Sequence, residues 1–328
     1  MNNIIIKKIS RSIKALIFLF PITLAFYLFF SEFGQFGNLL FLIKKLSFEI
    51  SFGLCLVSIG YVMRYLRWRL IINSFGFYPL VKTECKLWMA SYSFTATPGK
   101  IGELIRCFFL RKTFNIPLKY SFVSIIFERV FDFIAVIIFA VCFFIIKYKY
   151  LILSLEGLLI IGITVFIALT FLLRIQVIDY RKLMAYFIEK KFKFLGKVFK
   201  FGDIIKLRNF KNLFKINVLI KITFLSLFSW GLEGLAFLLL LTKLNFDMSL
   251  LTATFIHTTS GLIGALTMLP GGLVFTEAIT VSILKLQTIP IDYGIPITSI
   301  IRLMTLWYIT FLGTISLFII RKEIFKDV

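Results

Sequence analysis

The chain has 328 residues, of which 59% are hydrophobic and 16% are charged, and its mean hydropathy is +0.95. A soluble domain carries roughly 25% charged residues, so this composition excludes an ordinary soluble globular protein and predicts an integral membrane protein. The net charge of +22 does not indicate nucleic-acid binding, because the basic residues lie between apolar runs, as in the cytoplasmic loops of membrane proteins.

Six apolar runs are long enough to cross roughly 30 Å of hydrocarbon at about 1.5 Å per residue. In chain order they cover residues 15–31, 48–66, 119–146, 150–173, 216–242 and 296–320. The first run follows basic residues, but the sequence after it, Ser31-Glu32-Phe33-Gly34, has no small-x-small cleavage pattern. We therefore expect this run to remain as the first span.

Two further apolar stretches, 86–108 and 250–286, are interrupted by Pro98-Gly99 and by Pro270-Gly271-Gly272. Proline ends a helix and glycine lets the backbone turn, so we interpret both stretches as re-entrant helical hairpins. The sequence thus predicts an all-α integral membrane protein with about six transmembrane helices and two re-entrant hairpins. Irregular backbone at membrane depth must be buried in protein or line a wet cavity, because lipid cannot bond its polar groups.

The distribution of Lys and Arg predicts the orientation. If residue 1 starts inside and each hairpin returns to its own side, the inside segments hold 29 Lys and Arg and the outside segments hold six. The inside segments are 1–14, 64–119, 174–215 and 321–328. The positive-inside rule then places both termini in the cytoplasm and the protein in the cytoplasmic (inner) membrane. The basic segment 174–215 is either an amphipathic helix on an anionic leaflet or a solvated linker.

A Pro-Gly pair, then a carboxylate and then an arginine occur in this order in each half of the chain. These residues are Pro98, Gly99, Glu103 and Arg129 in the first half, and Pro270, Gly271, Glu277 and Arg302 in the second. The Glu-to-Arg separations are 26 and 25 residues. With the predicted topology the pattern indicates an inverted repeat, residues 1–148 and 149–328, the second including segment 174–215. Transporters built from such repeats carry their sites near the bilayer midplane. A chance recurrence of Pro-Gly is the alternative.

Polar residues in the first half form two groups of candidate substrate-binding residues. Glu128, Arg129 and Asp132 share one sector of a helix, so the two carboxylates either hold the guanidinium of Arg129 for a phosphate or form an internal ion pair with it that joins two helices. Asp132 fits the ion-pair interpretation better. The second group opens a half-helix whose N–H groups suit an anion: Pro98, Gly99, Lys100, Gly102, Glu103 and Arg106. Alternatively, Lys100 and Arg106 extend to the cytoplasmic surface.

In the second half the corresponding candidates are Pro270, Gly271, Gly272, Glu277 and Arg302. Because no basic residue follows this glycine pair directly, Arg302 is expected to supply the positive charge. A lone buried Glu277 is also a candidate for proton coupling, since burial favours its protonated form. Glu233 and His257 are weaker candidates, because single polar groups in membrane helices usually bond a neighbouring helix.

Motifs of enzymes and metal sites are absent from the sequence. There is no G-x-S-x-G, P-loop or G-x-G-x-x-G motif, and the single histidine, His257, excludes a histidine-centred metal site. The four cysteines lack metal spacing and are expected to be free: Cys55, Cys85, Cys107 and Cys142. We expect no cofactor, no metal and no enzymatic activity, with an intramembrane enzyme that uses carboxylates as an alternative.

These motifs resemble a known family. The run Pro98-Gly99-Lys100-Ile101-Gly102-Glu103-Leu104-Ile105-Arg106, then Phe127-Glu128-Arg129-Val130-Phe131-Asp132, and later Pro270-Gly271-Gly272 with Glu277 and Arg302, is similar to the flippase-like transmembrane region of lysylphosphatidylglycerol synthases. That family tends to have a glycine between the Gly pair and the glutamate, where this chain has Val274 and Phe275. The domain that attaches lysine in the namesake enzymes is absent.

The resemblance implies translocation of a lipid with a polar head group. The leading hypothesis is a flippase-like transporter for a lipid with an anionic or polar head group, either a phospholipid or a polyprenyl-phosphate-linked lipid. The alternative is a non-transporting membrane subunit that presents lipid to a glycosyltransferase or synthase partner. Membrane lipids are the expected partners in both cases, and nucleic acid is not. The sequence does not fix the oligomeric state.

Overall fold

The computed structural model describes residues 36–95, 103–147, 209–267 and 269–324, and these residues are helical with short turns and no β-strand. The helices in chain order are α1 Phe36–Lys45, α2 Ser47–Ser74, α3 Val81–Ser91, α4 Ile105–Phe114, α5 Leu118–Lys147, α6 Ile216–Lys243, α7 Leu250–Leu266, α8 Phe275–Leu286, α9 Ile291–Arg302 and α10 Tyr308–Ile324. A π-helical turn, Leu303–Trp307, joins α9 to α10. The expectation of an all-α protein is confirmed for this part of the chain.

Four helical segments are long and apolar enough to cross a membrane. They are α2, α5, α6 and the continuous segment Ile291–Ile320, with 28, 30, 28 and 30 residues. They coincide with the predicted spans 48–66, 119–146, 216–242 and 296–320. The predicted spans 15–31 and 150–173, the basic segment 174–215, and the residues Pro98, Gly99, Lys100 and Gly102 lie outside the described residues.

The second predicted span is longer than its apolar run. Helix α2 continues to Ser74, and Arg64 and Arg67 are buried in it at 7% and 0% exposure, although the sequence placed both in a cytoplasmic segment. Arg106 is also fully buried, which corrects the expectation that it extends to the cytoplasmic surface. Removing these three residues lowers the inside count of Lys and Arg from 29 to 26, so the orientation remains a prediction with the same sign.

Helices α2 and α6 pack closely along their length, and small residues permit this packing. A Cβ atom on Gly60 would lie 3.2 Å from the carbonyl oxygen of Ser229, and one on Gly53 would lie 3.4 Å from the Cβ of Ala236. Membrane helices associate through such small residues, because lipid tails provide no hydrophobic force between them. This pair carries buried arginines and carboxylates on its facing sides.

The two stretches predicted as hairpins consist of short helices. Helices α3 and α4 have 11 and 10 residues, and α7 and α8 have 17 and 12, which at about 1.5 Å per residue is less than the roughly 30 Å of the hydrocarbon core. The break predicted at Pro270–Gly272 is present as a 3₁₀ turn between α7 and α8. Re-entry from one side of the membrane remains a prediction.

The turn before α8 has left-handed backbone at three residues. Gly271 and Gly272 have φ of +60° and +67°, and a Cβ atom on Gly272 would lie 2.9 Å from the backbone carbon of Gly264 in α7. Val274 has φ of +72° and ψ of −53°, a conformation that a β-branched residue rarely adopts. The glycines therefore allow α7 and α8 to approach, whereas Val274 adopts its conformation at a cost.

Candidate functional site

The two halves of the chain enclose a polar cavity of about 100 Å³. Its walls come from α2, α5, α6, α7, the turn at Pro270–Gly272, α8 and α9. The charged side chains and the histidine that line it are Arg64, Glu103, Arg129, Asp132, Glu233, His257 and Arg302. Charged groups are costly at membrane depth and usually mark a substrate or ion pathway, so this cavity is the candidate site.

Arg129 reaches the cavity from α5 and has two loosely held carboxylate partners. Its Nη2 lies 3.4 Å from Glu103 Oε2, and its Nη1 lies 3.4 Å from Asp132 Oδ2. The side chain is 37% exposed, more than any other charged group in these pairs at the cavity. The sequence predicted that Arg129 faces Asp132, and the structure places them together. Such long, open contacts leave the guanidinium able to accept a further anionic partner.

Arg302 plays the equivalent part in the second half. Its Nε donates to Glu277 Oε1 at 2.8 Å, and its Nη2 donates to the carbonyl oxygen of Gly271 at 2.5 Å. Arg302 therefore joins α9 to the hairpin turn and to the first turn of α8, as the sequence expected. Glu277 is not a lone carboxylate, so its proposed role in proton coupling is wrong: the adjacent guanidinium favours the ionised form.

The Glu–Arg spacing shared by the two halves therefore has the same outcome twice. Glu103 pairs with Arg129, and Glu277 pairs with Arg302, each carboxylate lying just after a hairpin break and each arginine on the following helix. Both arginines line the same cavity. The division into inverted repeats at residues 1–148 and 149–328 stays a prediction, and these two pairs agree with it.

Glu128 and Arg106 are brought together away from the cavity wall. Arg106 Nη1 donates to Glu128 Oε2 at 2.7 Å, its Nε donates to Ser91 Oγ at 3.0 Å, and its guanidinium lies 4.6 Å from the ring centre of Trp68. Both charged side chains are fully buried. The prediction that Glu128 holds Arg129 is therefore wrong, and Arg106 does not line an anion site. This pair fixes α4 against α5.

Asp132 is held mainly by an arginine that the sequence analysis missed. Arg67 Nη1 donates to Asp132 Oδ1 and to Ser226 Oγ, each at 2.6 Å, and Trp230 Nε1 donates to the same carboxylate oxygen at 3.2 Å. The ion-pair interpretation of Asp132 therefore agrees with the structure, although its closest partner is Arg67 and not Arg129. Helices α2, α5 and α6 are joined at this point.

Arg64, Glu233 and His257 form a second group that joins α2, α6 and α7. Arg64 Nη1 lies 2.7 Å from Glu233 Oε1, and Glu233 Oε2 lies 3.0 Å from His257 Nε2. The guanidinium lies 4.8 Å and 4.6 Å from the ring centres of Tyr61 and Trp230. Glu233 and His257 do bond a neighbouring helix, as expected, and both also line the cavity. The aromatic residues that flank Arg64 in α2 were the available signal for its burial.

The described residues offer no metal site, since they contain no group of three or more His, Cys, Asp or Glu side chains placed to hold an ion. The cavity has instead three arginines and three carboxylates on its wall, in near balance. Guanidinium groups bind phosphate oxygens through paired hydrogen bonds. Chemically, the arrangement suits a phosphate-bearing group more than a metal or a catalytic nucleophile.

The fold and this cavity define a class of polytopic membrane protein with a buried, arginine-lined site. The family model for the lysylphosphatidylglycerol synthase TM region matches residues 12–313, so the chain belongs to that family, as its motifs predicted.

Two relatives in Methanocaldococcus jannaschii are membrane proteins. UPF0104 membrane protein MJ1078 is 26% identical over 236 residues, covering 70% of this chain and 94% of the relative. UPF0104 membrane protein MJ1595 is 29% identical over 281 residues, covering 79% and 81%. No solved structure matches the chain.

Proposed function

We propose that the chain translocates a lipid with an anionic or polar head group between the two leaflets of the membrane. In this proposal the head group enters the cavity between the halves while the tails stay in lipid. Movement of one half against the other then opens the cavity to the opposite leaflet. The chain acts as a transporter and not as an enzyme, in the cytoplasmic membrane with both termini inside.

The observation that carries the proposal is the convergence of arginines from both halves on one cavity. Arg64 and Arg129 come from the first half, and Arg302 comes from the second. Burying a guanidinium in a membrane protein costs free energy, and a purely structural pair would gain nothing from facing open space. A phosphate that enters the cavity meets cations on both sides, so both halves contribute to binding.

The arginines differ in how tightly they are held, which assigns them different parts. Arg302 is fixed by Glu277 and by the carbonyl of Gly271, so it links substrate binding to the position of the hairpin turn. Arg129 is 37% exposed and has contacts of 3.4 Å only, so it is the first contact for an incoming head group. A lipid phosphate near Arg129 would compete with Glu103 and Asp132.

The test is lipid flipping by the purified protein in liposomes. Tail-labelled phosphatidylglycerol and a tail-labelled polyprenyl-phosphate sugar are used in parallel, and the label in the outer leaflet is bleached with an impermeant reductant. We expect bleaching of the inner-leaflet pool of at least one probe with wild-type protein, and loss of this activity in Arg129→Gln.

Arg69→Gln is the matched control. Arg69 pairs with Glu84 at 3.2 Å on the same helix as Arg64 but does not line the cavity, so flipping should persist. If neither probe moves faster than in protein-free liposomes, the transporter proposal is wrong. Lipid-dependent product formation only after a glycosyltransferase is added would then support the alternative, a subunit that presents lipid to that partner.

A further inference from the structure

The group formed by Arg64, Glu233 and His257 has one carboxylate shared between two potential cations. Glu233 is 2% exposed, and each of its two oxygens has a different neighbour, Arg64 Nη1 at 2.7 Å and His257 Nε2 at 3.0 Å. Arg64 itself is 7% exposed, and its Nη2 atom is buried with no hydrogen-bond acceptor among the described residues. An orphan guanidinium N–H in a buried site is costly, so its retention calls for an explanation.

The charges on the cavity wall make the state of His257 important. The arginines at the wall, Arg64, Arg129 and Arg302, face the carboxylates of Glu103, Asp132 and Glu233. With a neutral histidine these described lining groups sum to zero charge, and a phosphodiester would add one negative charge. A proton on the imidazole restores the balance, so anion binding and protonation favour each other through linkage.

We propose that Arg64 is a phosphate-binding residue of this cavity and that protonation of His257 releases it from Glu233 for this purpose. The inference rests on the proposed function, because the ligand is the phosphate of the translocated lipid. The imidazole takes its proton from water and becomes the main ionic partner of Glu233. Arg64 Nη1 and Nη2 then both donate to phosphate oxygens, and no covalent bond changes.

Other charged groups do not replace His257 in this role. On α6 its partner is Glu233, and from α2 Arg64 reaches the same carboxylate. On α5 Asp132 already accepts from Arg67 at 2.6 Å and contacts Arg129 at 3.4 Å. On α8 Glu277 is paired with Arg302 at 2.8 Å. Each of these carboxylates has an arginine partner that stays charged, whereas histidine is the side chain that ordinarily changes charge between about pH 5 and 8.

The test is direct binding of a soluble phosphodiester to the full-length protein in detergent. The probe is dihexanoyl-phosphatidylglycerol, and its Kd is measured at about pH 5.5 and about pH 8, which lie on either side of the usual titration range of histidine. We expect about tenfold tighter binding to wild-type protein at the lower pH, the gain of one charge-assisted hydrogen bond pair. His257→Gln keeps a hydrogen bond to Glu233 but does not titrate, so its Kd should be the same at both pH values.

Two further variants give opposite signs. Glu233→Gln should bind tightly at both pH values, because Arg64 has no carboxylate to leave, and Arg64→Gln should bind weakly at both. Arg64→Lys keeps the charge and should recover part of the affinity, which shows that a weak Arg64→Gln is not simply unfolded. Arg69→Gln, on the same helix, should behave as wild type.

Acid-dependent binding that persists unchanged in His257→Gln would overturn the proposal. So would wild-type affinity in Arg64→Gln at the lower pH, or the absence of binding to wild-type protein at the lower pH. Failure of the proposed function has a different signature: wild-type protein that binds the probe with this pH dependence but flips no lipid. Flipping with the same pH profile in wild type and His257→Gln would retain the transporter and reject the role of the histidine.

Discussion

Replacing Arg129 and Arg106 separately by glutamine distinguishes a substrate-binding arginine from a structural one. Both lie in the first half and both have carboxylate partners. Arg129 is 37% exposed, with contacts of 3.4 Å, whereas Arg106 is fully buried and lies 2.7 Å from Glu128. The two substitutions are chemically identical, so any difference in outcome reports the surroundings.

The structure gives the expected magnitudes. In Arg129→Gln, Asp132 keeps its bond to Arg67 at 2.6 Å, so the loss resembles that of a partly exposed ion pair, about 1 kcal/mol or less. In Arg106→Gln, Glu128 keeps only Arg67 Nη2 at 4.0 Å, so a carboxylate is left buried without a close cation. Breaking such a buried pair costs roughly 3–5 kcal/mol.

Thermal unfolding in detergent and lipid flipping are measured on the same preparations. We expect Arg129→Gln to unfold near the wild-type temperature and to lose flipping, and Arg106→Gln to express poorly or to unfold well below it. Asp132→Asn should not be needed to restore folding of Arg129→Gln. A loss of stability in Arg129→Gln as large as that in Arg106→Gln would refute the assignment of Arg129 to substrate binding.

Three other substitutions test the second hairpin by thermal unfolding. Arg302→Gln should cost roughly 3 kcal/mol because Glu277 is left without its cation, and adding Glu277→Gln should recover much of this cost; no recovery would mean that the pair is unimportant. Gly264→Ala should cost about 1–3 kcal/mol, since its Cβ would meet Thr276 and lie 3.2 Å from the carbonyl of the 270–272 turn, whereas Gly261→Ala, with no heavy atom within 4 Å, should be near neutral. Val274→Gly should stabilise the protein by roughly 1 kcal/mol by relieving its left-handed backbone, and a loss would show that its side chain contributes more than the strain.

The spans were predictable from sequence because each depends on local hydropathy alone. The four runs at 48–66, 119–146, 216–242 and 296–320 all fall within helices long enough to cross a membrane. The end of α2 was placed too early, since the apolar run stops at Arg64 while the helix continues to Ser74. An arginine at the end of an apolar run signals either a loop or a buried partner, and hydropathy does not separate the two.

The candidate site was predictable only where its residues are close in sequence or recur. The repeated Glu–Arg spacing found the pairs of Arg129 and Arg302 correctly. The partners of Arg67 and Arg64 are 65 and 169 residues away, at Asp132 and Glu233, and nothing in a single sequence links positions so distant. For the same reason Glu128 was assigned to its neighbour on the helix, although its partner comes from α4.

The most direct measurement asks whether the cavity is the path of the head group. The four native cysteines are free in the structure, so a cysteine-free protein should fold and remain active. Gly261→Cys places a thiol on the cavity wall, and Val62→Cys places one on an exposed position of α2, where the side chain is 52% exposed. A sulfonate-bearing methanethiosulfonate reagent is applied during flipping, and modification is quantified by mass spectrometry.

We expect modification of the cysteine at position 261 to stop flipping in proportion to the fraction modified, because the added bulk and negative charge occupy the site of the phosphate. Lipid in excess should slow that modification. Modification at position 62 should leave flipping unchanged. Full modification at position 261 with undiminished flipping would contradict the assignment of this cavity to the lipid head group.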